Sequence, residues 1–347
     1  MDSKIRLKES LYLAKDSEGL YYAVFTATRK VQTWRVNSLT DQIISRLTSP
    51  LNYEEMFLAL ESRYGREEVT ACMNSLVSNG LARVVYEKKD SDRMHKQKIY
   101  FQELANNPEE AKLMQEKIEK AKVGILGVGG IGSWVVNGLG QIGIGEIRVC
   151  DPDVVSITNL NRQLFYNSRD VGRRKVDVLK ERLVDFNIIP YYHFVREGED
   201  LSPMLNGLDF IVNCADSPSV AHTSEIVDKW ARPRNIPYMI GGGYNMHLGM
   251  VGPIIIPGKS ACFNCFLRRQ KEKDQFKGMK IIKQVEDSGN LGPIAGTIGN
   301  MHVTEILKYF IGHPNLNINK FAEIDLLNMN LEWRTFDKRS DCEICGK

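Results

Sequence analysis

Apolar and polar positions alternate over the first 88 residues in short segments that predict a small α+β unit. Strand-type segments, rich in β-branched and aromatic side chains, lie at residues 5–13, 20–28, 31–36 and 81–86. Apolar side chains recur at helical spacing at residues 38–47, 53–64 and 67–78. The polar sequence at 16–19 predicts a hairpin between the first two strands. The order is three strands, three helices and a final strand.

The remaining chain has a different pattern. Residues 87–92 carry only polar and charged side chains, which is typical of a linker. Predicted helices follow at 93–104 and 108–120. Apolar strands then alternate with helical segments, a pattern that favours a mostly parallel sheet with helices on both faces. We therefore expect a small α+β domain at 1–88, a helical linker at 89–120 and an α/β domain at 121–347.

Composition changes this picture little. The chain has 347 residues, is 43% hydrophobic and 26% charged, and has a formal net charge of +3. That charge is too small to indicate a nucleic-acid or membrane partner. No apolar run approaches the roughly 20 residues that a membrane helix needs, and the first residues are polar. We expect a cytoplasmic protein that binds neither nucleic acid nor membrane.

A glycine-rich loop follows the predicted strand at 121–126 and opens a helix. Gly127, Gly129 and Gly132 have the spacing of a nucleotide-binding turn, with Gly130 between them. The turn brings the backbone close to a phosphate, and the helix N-terminus attracts the anion. The next strand ends at Asp151, an acid suited to ribose hydroxyls. This pattern fits NAD, FAD, S-adenosylmethionine or ATP.

The residues after Asp151 narrow that choice. Asp153, Asn159, Arg162, Gln163 and Lys175 follow within one short stretch. A dehydrogenase needs no such cluster of cations. A triphosphate does, because its charge and its pyrophosphate leaving group must be neutralised during attack on the α-phosphorus.

This pattern resembles the E1-like superfamily of adenylating enzymes (ThiF, MoeB and MccB types). The resemblance implies a Rossmann-like E1/ThiF adenylation domain that uses ATP. It implies that Asp151 holds the ribose and that Asn159, Arg162 and Lys175 contact phosphates. It places Mg²⁺ at Asp216, which could alternatively cap a helix starting near residue 217. The implied catalytic residues are Arg162, Lys175 and Asp216. The implied nucleotide-binding set is Gly127, Gly129, Gly130, Gly132, Asp151, Asp153, Asn159, Arg162, Gln163, Lys175, Asp216 and Lys96.

Lys96 enters that set through a departure from the family pattern. Members of the superfamily often carry Arg-x-x-Arg-Gln before the nucleotide domain, where the second Arg reaches the ATP of the partner subunit. Here Arg93 and Lys96 stand at the two positions. Lys96 keeps the charge but not the bidentate fork. The resemblance also implies a homodimer.

Four of the seven cysteines form two Cys-x-x-Cys pairs, Cys262 with Cys265 and Cys342 with Cys345. In a chain without a secretory signal, such pairs indicate metal before disulfide. Four thiolates suit a structural Zn²⁺, provided the fold brings the distant pairs together. The resemblance supports this, since many ThiF-like proteins join a middle and a C-terminal pair. Redox-active or unpaired cysteines are the alternative.

Many E1-like enzymes carry a catalytic Cys after the first zinc pair, but residues 266–300 contain none. Cys72, Cys150 and Cys214 lie in apolar contexts elsewhere, so thioester relay to a ubiquitin-like protein is disfavoured. The basic segment at 268–283 is either a mobile lid or a solvated loop.

The N-terminal unit resembles PqqD-like peptide-recognition domains. The resemblance implies a winged-helix α+β domain at 1–88, whose exposed strand edge can accept a leader peptide. A winged helix that only packs on the main domain or mediates dimer contacts is the alternative. Residues 241–259 also look like the MccB type. Together these features resemble the MccB and PaaA types of peptide antibiotic biosynthesis, and the PaaA type more. This implies a ribosomal precursor peptide as partner, adenylated on a glutamate side chain or a C-terminal Asn and then cyclised by intramolecular attack.

Other functions stay open. A sulfur-carrier or molybdopterin-type adenylyltransferase would need no leader-binding domain. An NAD(P)-dependent oxidoreductase would use the glycine loop without Arg162, Lys175 and Asp216 together. A non-catalytic peptide adaptor and a tRNA-modifying enzyme are weaker alternatives.

Overall fold

The computed structural model describes residues 3–85, 92–105, 107–272, 279–280, 282–283 and 289–346. The chain forms two compact units, Met1–Glu116 and Lys117–Lys347. Residues 86–91, which contain most of the polar segment at 87–92, lie outside the described residues. The predicted boundaries at residues 88 and 120 stay a prediction.

The N-terminal unit contains two small sheets and a group of helices. Its strands are β1 (Ile5–Leu7), β2 (Leu11–Lys15), β3 (Leu20–Phe25), β4 (Lys30–Arg35) and β5 (Ala82–Val84). Its helices are α1 (Ser38–Arg46), α2 (Tyr53–Leu58), α3 (Arg66–Ser78) and α4 (His95–Leu104), and α5 (Pro108–Lys120) crosses the unit boundary. Strands β2, β3 and β4 form an antiparallel sheet, and β1 pairs with β5. Ile43, Leu47 and Met56 are fully buried in the core between them.

Two predicted elements of this unit are wrong in extent. The single strand expected at 5–13 is two strands in different sheets, because the chain turns between β1 and β2. At that turn, the Lys8 backbone N–H donates to Leu81 O at 3.0 Å and its side chain pairs with Glu103. The helix expected at 53–64 ends at Leu58 and continues as turns. By contrast, the Asn37 cap of α1 is confirmed, since its side chain accepts from Thr40 N at 2.8 Å.

The second unit is built on a six-stranded sheet in the order β13-β10-β9-β6-β7-β8. These strands are β6 (Lys122–Leu126), β7 (Glu146–Cys150), β8 (Ile188–Tyr191), β9 (Phe210–Asn213), β10 (Tyr238–Ile240) and β13 (Ile254–Ile255). All neighbouring pairs are parallel except β10 with β13. The predicted mixed α/β class with a mostly parallel sheet is confirmed.

Helices and a second sheet complete this unit. The helices are α6 (Gly130–Ile142), α7 (Lys175–Arg182), α8 (Ser202–Leu205), α9 (Val220–Ala231), α10 (Phe263–Glu272) and α11 (Gly292–Ile311). The second sheet is antiparallel and contains β11 (Tyr244–Asn245), β12 (Leu248–Val251), β14 (Lys320–Asp325) and β15 (Asn330–Thr335). None of the described helices combines the length and the apolar character needed to cross a bilayer.

The strand order positions a binding site. The chain enters the large sheet at β6, continues to β7 and β8 on one side, and returns to β9 and β10 on the other. The carboxyl ends of β6 and β9 are therefore neighbours at the point where the strand order reverses. Open α/β sheets bind ligands in the crevice at such a point.

Candidate nucleotide site

The glycine loop connects β6 to α6 and packs tightly against the next strands. Gly127 has φ +84°, and a Cβ there would lie 2.8 Å from Ala215 N. A Cβ on Gly132 would lie 1.9 Å from Gly127 O. Both glycines are therefore required by the close approach of backbone segments. Gly129 has only the Gln163 amide near its missing side chain, at 3.7 Å, so this side of the loop is open to a ligand.

Asp151, directly after β7, holds the glycine loop through a hydrogen bond to the loop backbone. Its carboxylate accepts hydrogen bonds from Val128 N at 2.7 Å and Asp153 N at 2.8 Å, and the residue is 4% exposed. Burial raises the pKa of Asp151, while Lys175 and the two backbone N–H groups oppose that rise. The carboxylate is thus fixed in position before any nucleotide binds.

Lys175 is the first residue of α7 and is 4% exposed. Its Nζ donates to Asp153 Oδ2 at 2.8 Å, and its backbone N–H donates to Asp153 O at 3.1 Å. The Asp153 side chain is 63% exposed. Lys175 is therefore a buried cation at the start of a helix. Among the described residues, its one ion-pair partner is a carboxylate that is mostly exposed to solvent.

The segment between Asp153 and Lys175 carries the other predicted polar residues. Asn159 accepts from Ser156 N at 3.0 Å, and the Arg162 guanidinium donates to Thr158 O at 2.5 Å. Gln163 is 6% exposed, and its Oε1 has no hydrogen-bond partner within the described chain. Because buried polar atoms are normally paired, this oxygen is suited to a donor on a bound ligand.

Asp216 lies exposed just beyond β9. The alternative that it caps a helix is wrong, because α9 begins at Val220 and the Ser219 hydroxyl accepts from His222 N at 3.2 Å. The strand end is fixed instead by Asn213, whose side chain accepts from Ala215 N at 3.3 Å. Asp216 is therefore left for another role.

These residues line one cavity of about 520 Å³, which is within the range of small-ligand sites. The predicted residues on its wall are Gly127, Gly129, Gly130, Asp151, Asp153, Asn159, Arg162, Gln163, Lys175 and Asp216. Gly132 is not on the wall and serves the packing of the loop. Lys96 is exposed on α4 of the N-terminal unit.

Sequence reasoning missed part of the wall. The residues that it did not assign to the site include His193, Phe194, Val195, Ser217, Val220, Thr223, Gly242, Gly243, Tyr244 and Asn290. The first three follow β8, the third parallel strand, which the sequence analysis had not identified. Recognition of that strand would have indicated them, since residues after parallel strands gather at one edge.

The two Cys-x-x-Cys pairs meet, as a metal site requires. The sulfur atoms of Cys262, Cys265, Cys342 and Cys345 all lie within 4.8 Å of one another. The Cys262–Cys342 and Cys265–Cys345 distances are both 3.5 Å. A tetrahedron with Zn–S bonds of about 2.3 Å has sulfur atoms about 3.8 Å apart, so the four thiols fit Zn²⁺.

The thiols of this cluster differ in pKa. Burial raises the pKa of Cys262 and of Cys265. Backbone N–H groups of Cys345 and Ile344 instead lower the pKa of Cys342 to about 6, although burial opposes this. Cys265 lies on α10, and the neighbouring Phe266 packs edge-on against Phe321 at 5.4 Å between ring centroids. The cluster therefore connects α10 to the C-terminal segment and the second sheet.

The other thiols near the cavity are poor nucleophiles. Burial raises the pKa of Cys150 to about 12, and nearby Asp151 adds to the rise. Burial also raises the pKa of Cys214 to about 12, with Asp216 contributing. Both are therefore protonated at neutral pH.

The structure describes part of the basic segment at 268–283. Arg268 and Arg269 belong to α10, where Arg268 pairs with Asp341 at 3.1 Å and Arg269 with Glu272 at 3.8 Å. These two cations have carboxylate partners and are part of a helix. Lys273 and most of residues 273–288 lie outside the described residues, so the lid prediction stays a prediction.

Comparison with known proteins finds a matching family model and related sequences. The model of the ThiF family matches residues 100–346. The adenylyltransferase and sulfurtransferase UBA4 of Scheffersomyces stipitis is 24% identical over 239 residues, which are 67% of this chain and 52% of UBA4. The molybdopterin-synthase adenylyltransferase of Escherichia coli K12 is 24% identical over 237 residues, 67% of this chain and 90% of that protein. The match thus spans about half the length of UBA4.

Solved structures match over nearly the whole chain. Escherichia coli MccB, crystallised with MccA-N7isoASN, has a TM-score of 0.74 at 22% identity and covers 99% of this chain and 100% of its own. PaaA has a TM-score of 0.73 at 20% identity, with 96% and 100% covered. At this identity, the likeness shows a shared fold.

Proposed function

The chain belongs to the ThiF family, and we propose that it adenylates a carboxylate of a ribosomal precursor peptide with ATP and Mg²⁺. Intramolecular attack on the acyl adenylate would then cyclise the peptide as a step of peptide antibiotic biosynthesis. The observation that carries the adenylation is the single cavity that gathers a glycine loop, Arg162, Lys175 and exposed Asp216.

The chemistry follows from this charge arrangement. A substrate carboxylate oxygen attacks the α-phosphorus of ATP, and the bond to pyrophosphate breaks. Arg162 and Lys175 stabilise the charge on the phosphates and the leaving group. A nearby amide or amine nitrogen of the peptide then attacks the acyl carbon, AMP leaves, and the nitrogen loses its proton. Asp151, bonded to the loop, is placed for the ribose.

Asp216 fits the Mg²⁺ that accompanies ATP. Mg²⁺ prefers one or two carboxylates together with phosphate oxygens and waters. Asp216 is exposed, lies on the cavity wall and has no ion pair within the described residues. The bound ion would neutralise phosphate charge, and Asn213 and Thr223 would keep the carboxylate in position through their contacts with Ala215.

The N-terminal unit supports a peptide partner. Strand β4 is mostly exposed and, among the described strands, pairs only with β3. Its free edge borders a groove of about 570 Å³, lined by Thr33 and Trp34 of β4 and by Ser75 and Leu76 of α3. An extended peptide can add to such an edge as a further strand, with side chains in the groove. This supports a PqqD-like leader site.

Two further proposals follow. The cluster of Cys262, Cys265, Cys342 and Cys345 holds a structural Zn²⁺, because four protein thiols would leave no open coordination position. The protein acts as a homodimer, in which Lys96 contacts the phosphates bound by the partner subunit.

A sulfur-carrier or molybdopterin-type adenylyltransferase is the second candidate, because the matching curated relatives carry such names. The same cavity would serve that reaction. Against it stand the protonated Cys150 and Cys214 and the groove in the N-terminal unit. The curated relatives match only 67% of the chain.

Mass spectrometry after incubation with ATP, Mg²⁺ and candidate peptides encoded beside the gene tests the proposal. We expect peptide-dependent AMP and a peptide mass loss of about 18 Da per condensation, the mass of the water that is formally lost. AMP formation only with a small protein ending in Gly-Gly would favour the second candidate. Absence of AMP with any substrate, together with nicotinamide binding, would refute adenylation.

A further inference from the structure

Tyr244 lies on the wall of the nucleotide cavity, at the start of β11. A Cβ on Gly130, the first residue of α6, would lie 2.2 Å from the Tyr244 hydroxyl oxygen. The hydroxyl is therefore at the N-terminal end of α6. Backbone N–H groups there have no partner within the helix and attract phosphate.

Charged residues of the site lie near the hydroxyl. Arg162 and Asp216 are both close enough to act on it electrostatically. A guanidinium has donors only, so towards Arg162 the Tyr244 oxygen can serve only as an acceptor. The hydroxyl proton is then left to be donated to another acceptor.

The protonation state and the position of this hydroxyl allow it to donate a hydrogen bond. Burial raises the pKa of Tyr244, with Arg162 opposing and Asp216 adding to the rise, so the group is protonated at neutral pH. Tyr244 pairs with Gly249 of β12. A Cβ on Gly249 would lie 3.4 Å from Tyr244 Cβ and 2.4 Å from Ile298 Cδ1. Close packing on this side therefore limits movement of the strand that carries the phenol.

We propose that Tyr244 is a phosphate-positioning residue, whose hydroxyl accepts from Arg162 and donates to a non-bridging phosphate oxygen of the bound nucleotide. This inference rests on the proposed use of ATP by the cavity. During attack of the carboxylate and loss of pyrophosphate, charge on these oxygens is redistributed, and a fixed donor stabilises it. The hydroxyl also holds Arg162 towards the same phosphates before the nucleotide binds.

Tyr244→Phe removes the hydroxyl and keeps the ring. Calorimetric titration of the full chain with Mg·ATP and, separately, with adenosine isolates the contribution of the phosphates. We expect ATP affinity to fall about tenfold, the effect of one good hydrogen bond, and adenosine affinity to stay unchanged. Tyr309→Phe is the matched control, because that half-buried tyrosine packs on Phe210 outside the cavity wall. It should change neither affinity.

A second measurement tests whether Tyr244 and Arg162 act together on the nucleotide. Arg162→Gln and the double variant complete a cycle with Tyr244→Phe, and we expect the two losses of ATP affinity to be clearly less than additive. With a substrate that supports AMP formation, Tyr244→Phe should lower kcat about 10–100-fold at saturating ATP.

Three outcomes overturn the inference. Wild-type ATP affinity in Tyr244→Phe would exclude a contact with phosphate. Equal losses for ATP and adenosine would indicate a general structural role. Additive losses in the cycle would exclude the link to Arg162. These results leave the proposed function intact, whereas a wild-type protein that binds no ATP overturns both.

Discussion

Replacement of Lys175 by Met tests the electrostatics of the site most directly. Met keeps the unbranched chain up to the position of Cε but removes the ammonium group that is bonded to Asp153 at 2.8 Å. A charge-assisted hydrogen bond contributes about 1.5–3 kcal/mol. Because the Asp153 side chain is 63% exposed, water replaces part of that loss. We therefore expect destabilisation of about 1–2 kcal/mol at neutral pH.

The destabilisation should depend on pH through Asp151. Lys175 opposes the burial that raises the pKa of Asp151, so Lys175→Met raises that pKa further. A carboxyl group with a raised folded-state pKa contributes stability at low pH, which is lost as pH rises through that pKa. Each additional unit costs about 1.4 kcal/mol once Asp151 is ionised. The variant should therefore be affected more at pH 8 than at pH 4, close to the ordinary pKa of an aspartate.

Thermal unfolding followed by circular dichroism at both pH values provides the assay. For a domain of about 150–250 residues, a loss of about 1–2 kcal/mol lowers Tm by about 2–8 °C at pH 8, and by less at pH 4. Lys180→Met on the same helix is the control, since Lys180 is exposed and is not on the cavity wall. A Tm shift that is equal or larger at pH 4 would refute the reasoning about Asp151.

Three other variants test the remaining assignments. Asp216→Asn should lower AMP formation at least about 100-fold, because the Mg²⁺ ligand loses its charge, with Tm unchanged; a wild-type rate would contradict the magnesium assignment. Ser75→Trp should fill the groove beside β4 and weaken peptide binding at least about tenfold without affecting ATP binding, whereas Ala71→Trp, exposed on the same helix and outside the groove lining, should do neither. Cys342→Ser should abolish stoichiometric zinc and lower Tm, as measured by elemental analysis and calorimetry; one retained zinc per chain would exclude a four-thiolate site.

The nucleotide loop could be predicted because its requirements are local. Gly127 and Gly132 are needed by contacts within one strand-turn-helix unit and the adjoining strand end. Asp151 and Lys175 stand at the end of a strand and the start of a helix, positions that hydrophobic periodicity reveals. The sequence therefore predicted the glycine loop and the charged residues of the cavity wall.

Other features depend on distant contacts. Tyr244 reaches the glycine loop only because β11 belongs to a second sheet that folds back over the site. The break between β1 and β2 is accompanied by contacts of Lys8 and Ser10 with Glu103, more than ninety positions away. The cap of α9 is Ser219 and not Asp216, since residue 217 precedes Pro218 and is disfavoured in the helical conformation.

The four-cysteine cluster has a consequence for the order of events during synthesis. Cys265 and Cys345 are separated by 80 positions. At a translation rate of about 5–20 residues per second, the second pair is made roughly 4–16 s after the first. During that interval the first pair offers only two thiols, and any metal that it captures is held by an incomplete ligand set. The attachment of α10 to the segment around Cys345 therefore comes after synthesis of the nucleotide loop, which precedes both cysteine pairs in the chain.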